Sequence, residues 1–428
     1  MPPPDWVLAG RGLVKGRLQP IEIGIGEDGT IVALGRDLRA PERHDVGEGI
    51  VLPSATDLHV HFRDPGGTAR VENFATGTIE AALGGVGLVA DMPNTLPAVT
   101  DASSFEEKRK RVTGRAAVDV LLFGALTTTS KVDELAKVAG ALKLYLSPTT
   151  GVPAPPRNAE IPDLLRRAAV SGLPLTVHAE DPAQFRSEPP AKSLTEWDRA
   201  RPETAEAAAV EGVITGAPRG LRLHFAHVTN AGIAERITRA GHSFEASPHH
   251  LLLSRASKLG PRAKVNPPLR SDEERARLWK LFAQGGVPCL ASDHAPHDAS
   301  AKDVAFELAP SGMPNVETML PLLLAKVRDG NLELPRLVAA AMDRPSRWIG
   351  QPRGRIALGH RADMIVVDFR DRRTIAAKNL HAPCGWSAFE GHEGIFPREH
   401  YRAGERIVLA GEYIGTPTGV LRRPEFVR

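Results

Sequence analysis

The sequence predicts a (β/α)8 barrel of the TIM type, carrying a small β-sandwich built from the two chain ends. Three observations lead there. Between about residues 54 and 350 there are eight short β-rich apolar runs, most of them followed by a helical stretch. The flanking segments read instead as strands and turns. Histidine and aspartate candidates fall at the ends of several central strands, which is where barrels of this type gather their functional groups.

Taken in order, Ile21–Gly26 and Thr30–Gly35 flank Glu27–Asp28–Gly29, a hairpin signature. Toward the other end, Gly354–Arg355–Ile356 leads into Ala362–Phe369, followed by Arg406–Gly411 and Glu412–Ile414. These strands cannot easily bury a core alone. Pairing them with the N-terminal hairpin puts residues 1–53 and 353–428 in one β-sandwich and leaves 54–352 as the barrel. The expected barrel strands are Ala55–His59, Val86–Asp91, Val118–Gly124, Leu142–Leu146, Pro174–His178, Arg222–His227, Ser243–Ala246 and Pro288–Asp293. The clearest helix is Val71–Leu83, with apolar residues at 71, 74, 75, 79, 82 and 83 and a Gly84–Gly85 stop. Further helices are expected at Phe105–Val112, Ile161–Val170, Glu203–Ile214, Ile233–Ala240 and Asp272–Ala283, and a proline-rich loop at Val152–Pro156.

Composition narrows the function classes. The 428 residues are 42% hydrophobic and 25% charged, ordinary for a globular protein, with a net charge of +3 and no basic arm. Nucleic-acid binding has no support. No apolar run approaches the ~20 residues of a membrane span, and MPPPDWVLAG has no secretory pattern, so the chain reads as cytoplasmic. Cys289 and Cys384 are not in metal-type spacing and read as two buried thiols.

The chemistry centres on Asp57–Gly67, DLHVHFRDPGG. On a strand, His59 and His61 project to one side, so one metal ion can be held from a single strand end. His178, His227 and Asp293 are expected at the same rim, the last within ASDHAPH (Ala291–His297). Four imidazoles and a carboxylate suit Zn²⁺, though other divalent ions accept such ligands. Lys143 lies in the apolar run ALKLYL, where desolvation should lower its pKa. A neutral amine there can take up carbon dioxide to form an anionic, bidentate carbamate. The alternative is a buried stem whose head snorkels to water.

These motifs resemble the dihydroorotases of the cyclic amidohydrolase superfamily over about residues 50–350. DLHVHFRDPGG and ASDHAPH are similar to that family's two signatures. DMPNT (Asp91–Thr95), LKLYL (Leu142–Leu146), TVHAE (Thr176–Glu180), HFAHVT (His224–Thr229), SPHHL (Ser247–Leu251) and GMPNVETMLPLLL (Gly312–Leu324) fall in family order. The resemblance implies that His59, His61, carboxylated Lys143, His178, His227 and Asp293 hold two Zn²⁺ ions. It also implies that Arg63, Asn94, Asn266 and His297 hold the substrate. Many bacterial members place a bridging aspartate in the loop after strand four. SPTTG (Ser147–Gly151) has no acid there, so the chain resembles the lysine-bridged branch, which includes the dihydroorotase domain of the animal multifunctional pyrimidine protein. Thr149 is then a candidate loop contact. His249 and His250 are expected behind the ligands, His224 pointing elsewhere, and Asp91 in a structural role.

The activity implied is the reversible cyclisation of N-carbamoyl-L-aspartate to L-dihydroorotate and water, the third step of pyrimidine synthesis. A hydroxide held between the metals would attack the ring amide, with Asp293 as base and then acid. The expected partners are the small-molecule substrate, a second copy of the chain in a homodimer, and aspartate transcarbamoylase. The alternatives are another cyclic amidase acting on hydantoin, dihydropyrimidine or allantoin, a general metal-dependent hydrolase, or a non-catalytic scaffold for the transcarbamoylase. Arg63 discriminates among the amidases, being useful only if the substrate carries a carboxylate. A scaffold would be expected to have lost ligands, and all six are present.

Overall fold

The computed structural model describes residues 3–14, 16–66, 71–152, 154–186 and 189–426. Gly67, which ends the first motif, and Pro153 of the proline-rich loop lie outside the described residues. The centre of the chain is a parallel barrel of β1 (Ala55–Val60), β2 (Val86–Asp91), β3 (Asp119–Ala125), β4 (Ala141–Tyr145), β5 (Leu175–His178), β6 (Leu223–Phe225), β7 (Ser243–Ala246) and β8 (Cys289–Leu290). Each strand pairs in parallel with the next. Nearly every residue of these strands is buried, which is why they read as apolar runs and not as alternating ones. Closure comes after β8, where Val60 and His294 form a parallel bridge and the His61 N–H donates to the His294 carbonyl at 2.7 Å. The Asp57 carboxylate takes the Ser292 N–H at 3.0 Å, so the chain beyond Leu290 is held by a side chain. The ladder itself stops there, short of the expected Asp293.

Helices cover the barrel. The first runs Phe74–Leu83, starting three residues later than its apolar pattern suggests. Asn73 sets the boundary: its Oδ1 accepts from the Ala75 N–H at 2.9 Å, and its own N–H donates to Thr76 Oγ1 at 3.2 Å. Ala102–Val112, Ile161–Ser171, Glu203–Gly216, Ala231–Arg239 and Asp272–Ala283 lie close to their expected positions. Val132–Val138 and Met319–Arg328 supply helices that the apolar pattern did not mark.

The terminal segments share a separate eight-stranded sheet. Its order is Glu412–Tyr413, Glu405–Leu409, Glu399–Arg402, Met364–Val367, Glu42–Pro53, Trp6–Val14, Arg17–Ile25 and Ile31–Gly35, antiparallel except between Trp6–Val14 and Glu42–Pro53. The two ends of the chain meet where Leu52 lies opposite Ile365. Leu8, Ile23, Ile25, Val51 and Val366 make its own apolar cluster. The hairpin glycine Gly29 has φ +75°, and a Cβ there would lie 2.3 Å from the Ala403 carbonyl, so only glycine fits. Cys289 and Cys384 are buried and unpaired. No helix among the described residues is long and apolar enough to cross a membrane.

Candidate metal centre and substrate pocket at the barrel rim

At the carboxyl ends of the strands, His59 and His61 turn their Nε2 atoms toward Asp293, each 3.5 Å from Oδ1. The opposite nitrogens are committed. His59 Nδ1 donates to Glu245 Oε1 at 2.5 Å, and His61 Nδ1 donates to Asn94 Oδ1 at 2.7 Å. Across the rim, His178 Nε2 donates to Glu180 Oε2 at 2.8 Å, leaving its Nδ1 3.0 Å from His227 Nε2. Lys143 rises from β4 beneath them with Nζ 3.4 Å from His59 Nε2. The structure therefore brings together all six residues implied as ligands.

The electrostatics suit a cation. Burial, then the Lys143 charge, pulls His59 down to about 4, and burial also lowers His61, His178 and His227, so the imidazoles are neutral with lone pairs inward. Burial alone would raise Glu245, but His59 and His224 outweigh it and hold the carboxylate ionised. Burial raises the Asp293 carboxyl against the opposing pull of His59 and Lys143. Burial takes the Lys143 amine down to about 8. The donor set thus fits divalent ions on two grounds. Neutral imidazole nitrogens converge with a carboxylate, and carboxylates or an amide behind His59, His61 and His178 fix their tautomers.

Backbone strain gathers at this rim. Arg63 (φ 61°), His227 (φ 35°) and Asp293 (φ 48°) are three of the six non-glycine residues at positive φ among the described residues. The left-handed turn at Arg63 carries it back over the pocket. Its Nη2 lies 3.2 Å from His297 Nε2, and its buried Nε has no partner. Asp64 faces the other way, toward Arg115 at 3.5 Å, so Arg63 is not spent on its neighbour. Arg63, Asn94 and Asn266 line one pocket with the metal candidates other than Lys143, and with Tyr145, Thr149, Ser311 and Gly312. His297 stands one contact behind that wall, against Arg63 and the Ser311 carbonyl at 2.9 Å.

His249 Nε2 lies 3.9 Å from Asp293 Oδ2, and His250 donates to the Pro267 carbonyl at 3.0 Å. His224 turns away from the rim but reaches the other oxygen of Glu245 at 3.0 Å. Asp91 pairs with buried Lys108 and accepts the Phe62 N–H at 2.8 Å. Behind the closing turn, His294 donates to Glu72 Oε2 at 2.6 Å and accepts from the Asn315 N–H at 3.0 Å. Sequence reasoning missed Glu245 and the Glu180–Arg201 pair, which orient His59 and His178. A signal existed for Glu245: an acid inside a strand otherwise expected to be buried must have a partner.

Fold and rim together define a cyclic amidohydrolase: a (β/α)8 barrel with a histidine, lysine and aspartate cluster at the strand ends. The Dihydro-orotase-like family description matches residues 48–146. A dihydroorotase of Halobacterium salinarum is 37% identical over 398 residues, covering 90% of this chain and 92% of that protein. One from Methanosarcina acetivorans is 34% identical, covering 91% and 89%. The chain belongs to the dihydroorotase family. Among solved structures, an L-hydantoinase (dihydropyrimidinase) from Arthrobacter aurescens superposes with a TM-score of 0.92 at 26% identity, covering 98% of this chain and all of that one. A dihydropyrimidinase from Brevibacillus agri gives 0.89 at 24% identity, which bears on the fold alone.

Proposed function

We propose that the protein interconverts N-carbamoyl-L-aspartate and L-dihydroorotate at this rim. The observation that carries the substrate assignment is Arg63: a buried guanidinium, turned over the metal candidates by a strained backbone, with an unpartnered nitrogen. Hydantoinases share the fold closely, yet a ring without a carboxylate would leave that cation uncompensated.

His59, His61, carboxylated Lys143, His178, His227 and Asp293 would hold two Zn²⁺ ions. Bound there, the ions supply a water with lowered pKa and polarise the amide carbonyl. Arg63 grips the substrate carboxylate with parallel N–H donors, Asn94 and Asn266 fix its orientation, and His297 backs the guanidinium from behind the wall. Asp293 takes the proton of the attacking water and returns it to the ring nitrogen as the amide C–N bond breaks; in the cyclising direction the same proton moves are reversed. The chain is further proposed to act in the cytoplasm as a homodimer, with aspartate transcarbamoylase as its candidate partner.

The test is a parallel assay of L-dihydroorotate, carbamoyl aspartate, hydantoin and allantoin, in which the first two are turned over and the others poorly. Metal analysis of the purified protein is expected to approach two divalent ions per chain, with chelation abolishing turnover. Full activity in metal-stripped protein would overturn the metal assignment. Arg63→Ala should cost about 2–5 kcal/mol of substrate binding, as for other buried charge pairs. It should also shrink the preference for dihydroorotate over dihydrouracil, and lysine should rescue it poorly because the planar fork is lost. Equal turnover of the two rings by the wild type would refute the substrate assignment while leaving the metal site standing.

A further inference from the structure

The wall of the pocket opposite the histidines is made by two irregular stretches of backbone, Val265–Asn266 and Ser311–Gly312. Neither belongs to a helix or strand, so no ladder sets their distance from each other. One buried amine makes most of the bonds that join them. Lys302 is fully buried, and its Nζ donates to the carbonyls of Pro310 at 2.7 Å, Gly312 at 2.9 Å and Lys264 at 3.3 Å. A lysine ammonium has three donors, and here one goes to pocket-lining Gly312 and the other two to Pro310 and Lys264, which flank pocket-lining residues. The Gly312 N–H returns a bond to the Lys264 carbonyl at 2.9 Å, and Ser311 Oγ donates to Asn266 Oδ1 at 3.2 Å. Those two bonds leave the rest of the turn free to tilt, and the three bonds of the amine fix it against the 264–266 stretch.

That piece also carries the carboxylate-binding group. The Ser311 carbonyl lies 2.9 Å from His297 Nε2, which is itself 3.2 Å from the Arg63 guanidinium. Gly312 is at φ +131°, and a Cβ there would come 2.6 Å from the Ala295 carbonyl and 3.1 Å from His297 Nε2, so the turn packs here without room for a side chain. His297 Nε2 donates to the Ser311 carbonyl, so a shift of the 310–312 turn would move the imidazole directly and Arg63 through its contact with that ring.

We propose that Lys302 is a positioning residue for substrate recognition. By tying the 310–312 turn to the 264–266 stretch, it sets the place of His297 and Arg63 and so the fit of the substrate carboxylate. It touches none of the metal candidates, so its work lies in binding and not in the bond-breaking step. Burial, with Lys264 and Arg63 adding to it, lowers the amine to about 7. A cation is disfavoured at this position, and simple packing would be served at less cost by an apolar side chain.

The inference rests on the dihydroorotase reading of the site. The experiment compares wild type, Lys302→Met and Lys302→Gln on L-dihydroorotate and on dihydrouracil, with metal content measured for each. For Lys302→Met, KM for dihydroorotate should rise by about tenfold or more while kcat stays within about threefold. The slow turnover of dihydrouracil, which has no carboxylate to place, should be unchanged, as should metal content. Lys302→Gln keeps N–H donors and should show a smaller rise. If the methionine variant does not fold, the glutamine variant still reads a KM rise in the same direction, of smaller size. Unchanged KM in the folded variants, or a loss in kcat shared equally by both rings, would overturn the role of Lys302. A wild type inactive on dihydroorotate would instead overturn the underlying function.

Discussion

Lys143→Ala is expected to abolish turnover and to lower metal retention sharply. The side chain has no path to water: Lys143 is fully buried within β4, so the amine cannot snorkel out as a surface lysine would. Its Nζ sits 3.4 Å from His59 Nε2, among groups that are neutral or anionic. Burial lowers the amine to about 8, so far more of it is unprotonated near neutral pH than of an ordinary lysine. A neutral amine can add carbon dioxide, releasing one proton and leaving a carbamate with two oxygens. The loop after β4 offers no competing acid, since Ser147–Gly151 holds none and Ser147 Oγ is engaged by Arg201 at 3.3 Å. Alanine removes the group outright, and short carboxylic acids are expected to restore part of the activity by supplying a bridging carboxylate. An alanine variant with two metals and normal turnover would sink the assignment. So would a density map showing a bare amine with another residue between the metals.

Asp293→Asn should lower kcat by ~10²–10⁴-fold, the usual cost of losing a general base. Asp293 Oδ1 is placed evenly, 3.5 Å from both His59 Nε2 and His61 Nε2, at a residue held at φ 48° by the closing turn. Asparagine is close in shape and still offers an oxygen to a metal, but it cannot accept a proton. Metal content should therefore change much less than rate, which separates the proton-transfer role from a ligand role. Near-normal kcat would move the base to another residue, and His249, 3.9 Å from the other oxygen of Asp293, would be the first to test.

Much of this architecture was legible before any coordinates. The eight barrel strands are short and apolar because they are buried on both faces, and burial of that kind writes itself into composition. Boundaries were less legible where polar side chains set them. Asn73 delays the first helix, and the Asp57 carboxylate takes over from the ladder after Leu290. The strands Trp6–Val14 and Glu42–Pro53 were blurred because their exposed stretches carry Arg, Glu, Asp and Gly.

By itself the sequence determined the repeating strand–helix pattern, the residue types at the strand ends and the motifs that mark the dihydroorotase family. Those are local properties, set by burial and by side chains a few residues apart. Only the tertiary structure decided which groups face one another. It aimed Arg63 at His297 and left Asp64 to Arg115. It placed Glu245 between His59 and His224, and joined Lys302 to a turn eight to ten residues away and to Lys264. The physical reason is that a carboxylate or an amine carries no periodic signature of its partner. In a closed barrel, strands far apart in sequence converge on one rim, and the partner is set by that convergence together with backbone turns at positive φ, which no apolar pattern encodes.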